Sequence, residues 1–141
     1  MNKSFYCCID SLLPATQPEQ HLICEKIANL NNGKITFYGA EDVLAKKYQP
    51  FIYEKIKRTS NIDGVIFFTI DQFCYGNSLN SSLIKKLLKM KLSVHFAREN
   101  LSYTDYNQVK KDLPQIFAYF YSLNRDRKLY ASQLKSGFKL N

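Results

Sequence analysis

Strand and helix patterns alternate along the first hundred residues. Lys3 to Ile9 (KSFYCCI) is a short run of aromatic, cysteine and β-branched residues closed by Asp10, Ser11 and Pro14, and it predicts a buried strand. Gln17 to Leu30 then carries Leu22, Ile23, Ile27 and Leu30 at helical spacing, and Asn31-Asn32-Gly33 stops it. Ile35 to Tyr38 predicts a second strand ended by Gly39. Helical spacing returns from Tyr48 to Ile56 through Phe51, Ile52 and Ile56, with Pro50 in the first turn, where a helix tolerates it. The strongest strand pattern is Ile62 to Ile70 (IDGVIFFTI), entered through Asp63-Gly64 and followed by polar Asp71-Gln72. A continuous apolar run of that kind predicts a central parallel strand covered on both faces. Asn80 to Lys89 sets Leu83, Ile84, Leu87 and Leu88 against Lys85, Lys86 and Lys89, a helix with one wet face, and Leu92 to Phe96 supplies a fourth strand.

Strands alternating with helices argue for right-handed βαβ units, so residues 1–103 predict a three-layer α/β core built on an open, parallel, four-stranded sheet. From Thr104 onward no strand pattern remains. Tyr106, Val109, Leu113, Ile116, Phe117 and Phe120 repeat at three and four residues, Asn124 to Lys128 interrupts them, and Leu129 to Phe138 resumes with Gly137 as a stop. Residues 104–141 therefore predict a long C-terminal helix belonging to the same single domain. Tyr119, Tyr121 and Leu123 make it apolar over more of its circumference than a one-sided helix needs. A homodimer through residues 104–138 would bury the surplus.

The 141 residues are 45% hydrophobic and 23% charged, which fits one globular domain and excludes disordered, collagenous and coiled-coil classes. No apolar run reaches membrane-spanning length, and the first fifteen residues place an acid and a proline where a secretion signal is apolar, so a cytoplasmic protein is expected. In that compartment Cys7, Cys8, Cys24 and Cys74 are reduced thiols. Cys7 and Cys8 point to opposite faces of a strand and cannot share a metal, so no metal site is expected. The net charge of +8 comes from scattered lysines and arginines, which predicts weak, salt-dependent nucleic-acid binding with dissociation constants no tighter than about 1 to 100 μM. Glycine-rich phosphate loops are absent and no cofactor is implied.

In an open parallel sheet, ligands bind beyond the carboxyl ends of the strands. The pattern delivers Asp10 and Ser11, Ala40, Glu41 and Asp42, Asp71 and Gln72, and Arg98, Glu99 and Asn100 to that end. This ring can be read as a site for a sugar or nucleotide-sugar, with carboxylates accepting from hydroxyls and Arg98 holding a phosphate, or as strand-end capping. His95 reads as a satisfied interior residue, His21 as a solvated one. Cys74, on the loop after the central strand, stands where a thiol could be exposed, but no base neighbours it in the sequence and a nucleophilic role is the minor reading.

The order of elements resembles the catalytic domain of serine recombinases, the resolvases and invertases, over nearly the whole chain. The stretches that carry the resemblance are Tyr6-Cys7-Cys8-Ile9-Asp10, Gln17 to Gln20, Phe68 to Tyr75, Gln115 to Arg125 and Gln133 to Phe138. The resemblance implies a resolvase-like fold with a dimerisation helix. It also locates the departures: Asp10 stands where the family has its nucleophilic serine, with Ser11 one residue later. Cys8, Gln49, Gln72 and Tyr75 stand where it has arginines, and Asp71 and Arg125 alone match. Strand transfer through a serine ester needs clustered guanidinium groups on the phosphate, and each one lost costs about 3 kcal/mol of transition-state stabilisation. DNA cleavage is not expected, and Ser11, Asp71 and Arg125 stay as catalytic candidates for other chemistry.

A second, closer resemblance is to the sporadic carbohydrate cluster proteins, small single domains encoded among bacterial surface-polysaccharide genes. It rests on Gln17 to His21, Phe37-Tyr38-Gly39-Ala40-Glu41-Asp42, Asp63-Gly64-Val65-Ile66 and His95-Phe96-Ala97-Arg98-Glu99-Asn100-Leu101, about two thirds of the chain. It implies a role in surface-carbohydrate biosynthesis, as a binding or interaction protein or a small enzyme. The rival class is a DNA-associated pseudo-recombinase that partners or regulates an active one.

Overall fold

The computed structural model describes residues 2–10, 15–41, 51–75, 78–123 and 139–140, of which Tyr75, Ser78, 119–123 and 139–140 are described by their backbone alone. Ser11, Asp42, Gln49 and Arg125, and the predicted continuation from Leu129 to Phe138, lie outside the described residues.

The elements run β1 (Lys3–Ile9), α1 (Gln17–Leu30), β2 (Gly33–Ala40), α2 (Phe51–Arg58), β3 (Gly64–Phe67), a 3-10 turn (Ile70–Phe73), β4 (Cys74–Tyr75), β5 (Ser78–Leu79), α3 (Ser81–Lys89), β6 (Ser93–Phe96), β7 (Leu101–Tyr103), α4 (Tyr106–Leu123) and β8 (Lys139–Leu140). The main sheet has the order β2-β1-β3-β6-β7. Its first four strands are parallel, as the sequence pattern predicts. A fifth, β7, runs antiparallel to β6, so the sheet is mixed and five-stranded rather than parallel and four-stranded. The chain reverses through Arg98-Glu99-Asn100, with Asn100 in the left-handed region at φ 54°, which asparagine adopts at low cost. A second correction concerns the C-terminal third, where β8 pairs with β5 in a small three-stranded sheet, so strand structure does recur beyond Thr104.

Strand alternation divides β1 between two cores. Phe5, Cys7 and Ile9 pack with Cys24, Ile27 and Ala28 of α1. Tyr6 and Cys8 face the other side, where Ile52 and Ile56 of α2, Leu83, Ile84 and Leu87 of α3, and Val109 and Ile116 of α4 close over the sheet. The outcome is one helix on one face and three on the other. Phe67, Phe73, Phe96 and Tyr103 form a chain of ring contacts in the larger core, with centroids 4.7 to 6.4 Å apart. Tyr106, Val109, Leu113, Ile116 and Phe117, most of the predicted terminal stripe, are taken up by this same core. Lysines laid over tyrosines join the three helices outside: Lys57 and Lys86 flank Tyr53, and Lys85 and Lys110 flank Tyr106.

The strands approach closely at Gly64, where a Cβ would lie 2.9 Å from both Phe5 and the backbone oxygen of Ser93. The predicted strand Ile62 to Ile70 is a strand only to Phe67. Thr69 ends it by capping the 3-10 turn, accepting from Asp71 N at 3.2 Å while Gln72 Oε1 accepts from Thr69 N at 3.0 Å. The same reciprocal box opens α1, between Thr16 and Glu19.

Candidate functional site

The strand order reverses direction between β1 and β3, and the carboxyl ends of β1, β2, β3 and β6 lie at one edge of the sheet. A crevice at that edge is where open α/β sheets take ligands. The sequence places its candidate residues there, and the structure divides them by what each side chain already does.

Glu41 is a helix cap. Its two oxygens accept from Phe51 N at 3.0 Å and Ile52 N at 3.1 Å, satisfying the first amides of α2 with a negative charge. Glu99 ties β6 to the turn after β3, accepting from Ile70 N at 2.6 Å and from Thr69 Oγ1 at 2.8 Å, with a side chain only 3% exposed. Gln72 is 2% exposed and reaches back to the backbone oxygen of Cys8 at 3.5 Å. Asp10 is 7% exposed, and Gln20 clasps its backbone from both sides, donating to Asp10 O at 2.7 Å and accepting from Asp10 N at 3.0 Å. The side chains of Glu41, Glu99 and Gln72 are thus engaged by groups of neighbouring elements.

Asp71 and Arg98 remain. Asp71 is partly exposed at the start of the 3-10 turn. Burial pushes its carboxyl up from the ordinary value, Arg98 pulls it back down, and Glu99 adds to the rise. Arg98 is exposed and held in place, because its Nε donates to Glu99 Oε2 at 3.1 Å and its guanidinium lies 5.7 Å from the centroid of the Phe68 ring. A partly exposed carboxyl and an oriented guanidinium, groups chemically able to accept from hydroxyls and to donate to phosphate, thus lie at the same edge of the sheet. Sequence reasoning missed Thr69 and Gln20, which position this edge. The signals were the Thr-x-x-Gln capping box at Thr69 and the glutamine one turn into α1.

A carboxyl whose folded-state pKa lies above its unfolded value binds protons more tightly when folded, so its ionisation opposes folding at neutral pH, and the penalty fades as pH falls through the folded value. Asp71→Asn is therefore expected to raise the urea midpoint at pH 7, with the advantage shrinking on acidification. A midpoint below wild type at pH 7 would contradict this account of Asp71.

Cys74 is not the exposed thiol the sequence suggests. It starts β4, is partly buried, lies 3.6 Å from the backbone oxygen of Ile70, and is pushed up by burial and then by Asp71 and Glu99, which disfavours a thiolate. Cys8 is pushed up as well, by burial and by Glu41 and Asp10. His95 is 3% exposed between two hydroxyls, Nδ1 2.7 Å from Ser102 Oγ and Nε2 2.8 Å from Ser93 Oγ. Burial, followed by the charge of Lys3, lowers its pKa to about 4. His21 lies against Tyr38, with ring centroids 4.8 Å apart. Among the described residues no group of three His, Cys, Asp or Glu side chains is arranged to hold a metal, and no helix is long and apolar enough to cross a membrane. No protein-family model matches the chain, and no curated protein matches its sequence.

Proposed function

We propose that this chain is a resolvase-like α/β protein without strand-transfer chemistry that binds a sugar or nucleotide-sugar at the carboxyl edge of its sheet, beyond β3 and β6, serving surface-carbohydrate biosynthesis in the bacterial cytoplasm. The observation that carries the reading is the guanidinium of Arg98, after β6, held by Glu99 and the Phe68 ring at the same carboxyl edge where Asp71 follows β3 and feels its charge. The absence of recombinase chemistry is supported by two of the positions where the family resemblance expects arginines. Cys8 is fully buried and Gln72 is 2% exposed, so neither presents a group to a DNA phosphate.

Calorimetric titration with a uridine or guanosine diphosphate sugar tests the reading. The expected result is saturable 1:1 binding that Arg98→Gln weakens about tenfold, the cost of a charge-assisted pair to phosphate. Heats that stay at the dilution baseline across a panel of such nucleotide-sugars and the matching sugar phosphates would overturn it.

The same reading includes a homodimer through residues 104–138. The inner stripe of α4 packs on its own core, so the interface would use the surface beside that stripe, to which the sequence assigns Tyr119, Tyr121 and Leu123. Light scattering is expected to give twice the 16.4 kDa chain mass at micromolar concentration, and the monomer mass throughout would exclude this arrangement.

A further inference from the structure

At the opposite, amino-terminal edge of the sheet, a cleft of about 240 Å³ opens beside β6 and β7. That is smaller than the roughly 300 to 1,000 Å³ of pockets that bury drug-sized ligands, so it suits a small group. Its polar lining is made of Lys3, Asn31, Ser93, Ser102, Thr104 and Gln108 around the buried His95, with no carboxylate. A neighbouring depression of about 540 Å³ shares Lys3 and adds Lys34 and three asparagines, again without a carboxylate. Among the described residues the only ion pair is Arg98–Glu99, so neither lysine is neutralised there.

The donors are oriented. Gln108 Oε1 accepts from Thr104 N at 2.9 Å and Asp105 N at 3.2 Å, which fixes the amide and leaves its Nε2 to donate. Ser93 Oγ lies 3.4 Å from Asp63 O, an acceptor for its proton. Neutral His95 carries one N–H and one lone pair, so it can hold the Ser102 proton itself. Protonated, the ring donates to both serines, and the Ser102 hydrogen must turn outward, toward the cleft.

We propose that this cleft is a second ligand site, for a small tetrahedral oxyanion, either inorganic phosphate or the phosphate group of a metabolite, contacted by Lys3, Gln108 and Ser102, with His95 turning the Ser102 hydroxyl toward the ligand. An anion there favours the imidazolium, so binding takes up a proton and tightens as pH falls. This inference does not depend on the reading of the Asp71–Arg98 edge.

The test follows the His95 ring signals by NMR during titration with sulfate, whose charge is constant over the range, at pH 7.5 and 5.5. The expected result is a saturable shift of the His95 ring and the Ser102 amide, with binding severalfold tighter at pH 5.5 than at pH 7.5. Lys3→Gln, an exposed change, is expected to weaken binding at least fivefold. Ser102→Ala is expected to weaken binding and to reduce the pH dependence to the direct charge effect of the imidazolium. Parallel titration with phosphate and with glycerol 3-phosphate separates the two sources: equal affinities mean free oxyanion, and tighter binding of the ester with shifts extending to Lys34 means a phosphorylated metabolite. Shifts that are non-saturable and spread over the surface lysines, equal at both pH values, or unchanged by Lys3→Gln would overturn the proposal.

Discussion

Glu99→Ala is expected to lower the folding free energy by about 3 kcal/mol and to abolish measurable nucleotide-sugar binding. The carboxylate accepts from Ile70 N and Thr69 Oγ1 while almost fully buried, and it also holds Arg98 Nε. A hydrogen bond to a charged group contributes about 1.5 to 3 kcal/mol, and a buried amide left without an acceptor costs a further 1 to 3, so the two contacts together reach this size after local relaxation. The effect on binding follows from position rather than contact. Without Glu99 the turn that carries Asp71 is untethered from β6, and the guanidinium of Arg98 loses a group that orients it. Glu99→Gln retains one acceptor oxygen and is expected to lose about half as much. Urea denaturation of both variants checks the ranking, and a Glu99→Ala protein as stable as wild type would show that the tether is not needed.

Acidification is expected to remove about 3 kcal/mol of stability through His95. Its folded-state pKa of about 4 lies below the ordinary value of 6.5, so the unfolded chain binds the proton more tightly and stability falls as pH drops. The contribution is fully present above pH 6.5 and is lost progressively down to about pH 4, at 1.36 kcal/mol per pH unit. Between those limits wild type should take up nearly one more proton on unfolding than His95→Gln, which carries no titrating ring. Parallel pH profiles for the two proteins would mean that the imidazole is not held neutral by its burial.

The parts of the fold legible in the sequence are those with a long period. A continuous aromatic, cysteine and β-branched run predicted β1, and helical spacing with the Asn31-Asn32-Gly33 stop predicted α1. The opposite orientations of Cys7 and Cys8 followed from the pleat alone. Strand β7 was missed because Leu101, Ser102 and Tyr103 are too few for a period to show, although their buried, exposed, buried alternation is the strand pattern. The apolar run through Ile70 was read as strand to its end because hydrophobicity does not distinguish a buried strand from a buried turn. The Thr69–Gln72 capping box does distinguish them.

At the candidate site the sequence located the carboxyl-end residues, since strand ends follow from strand patterns. It could not say which of them were already committed, because Glu41 caps a helix ten residues away and Glu99 bonds to an amide 29 residues away. Such partners are fixed by tertiary packing and carry no local signal. The His95 pair of serines is a similar case, since Ser102 faces it only because β7 turns back along β6.

The most direct test of the central claim is the map of backbone amide shifts when labelled protein is titrated with a nucleotide-sugar that it binds. The account predicts saturable shifts concentrated at Asp10, Thr69 to Gln72, and Arg98 to Asn100, at one edge of the sheet, with Lys3 and Gln108 at the other edge unmoved. Shifts centred on the lysine-bearing faces of α2, α3 and α4, with Asp71 and Arg98 unaffected, would contradict it.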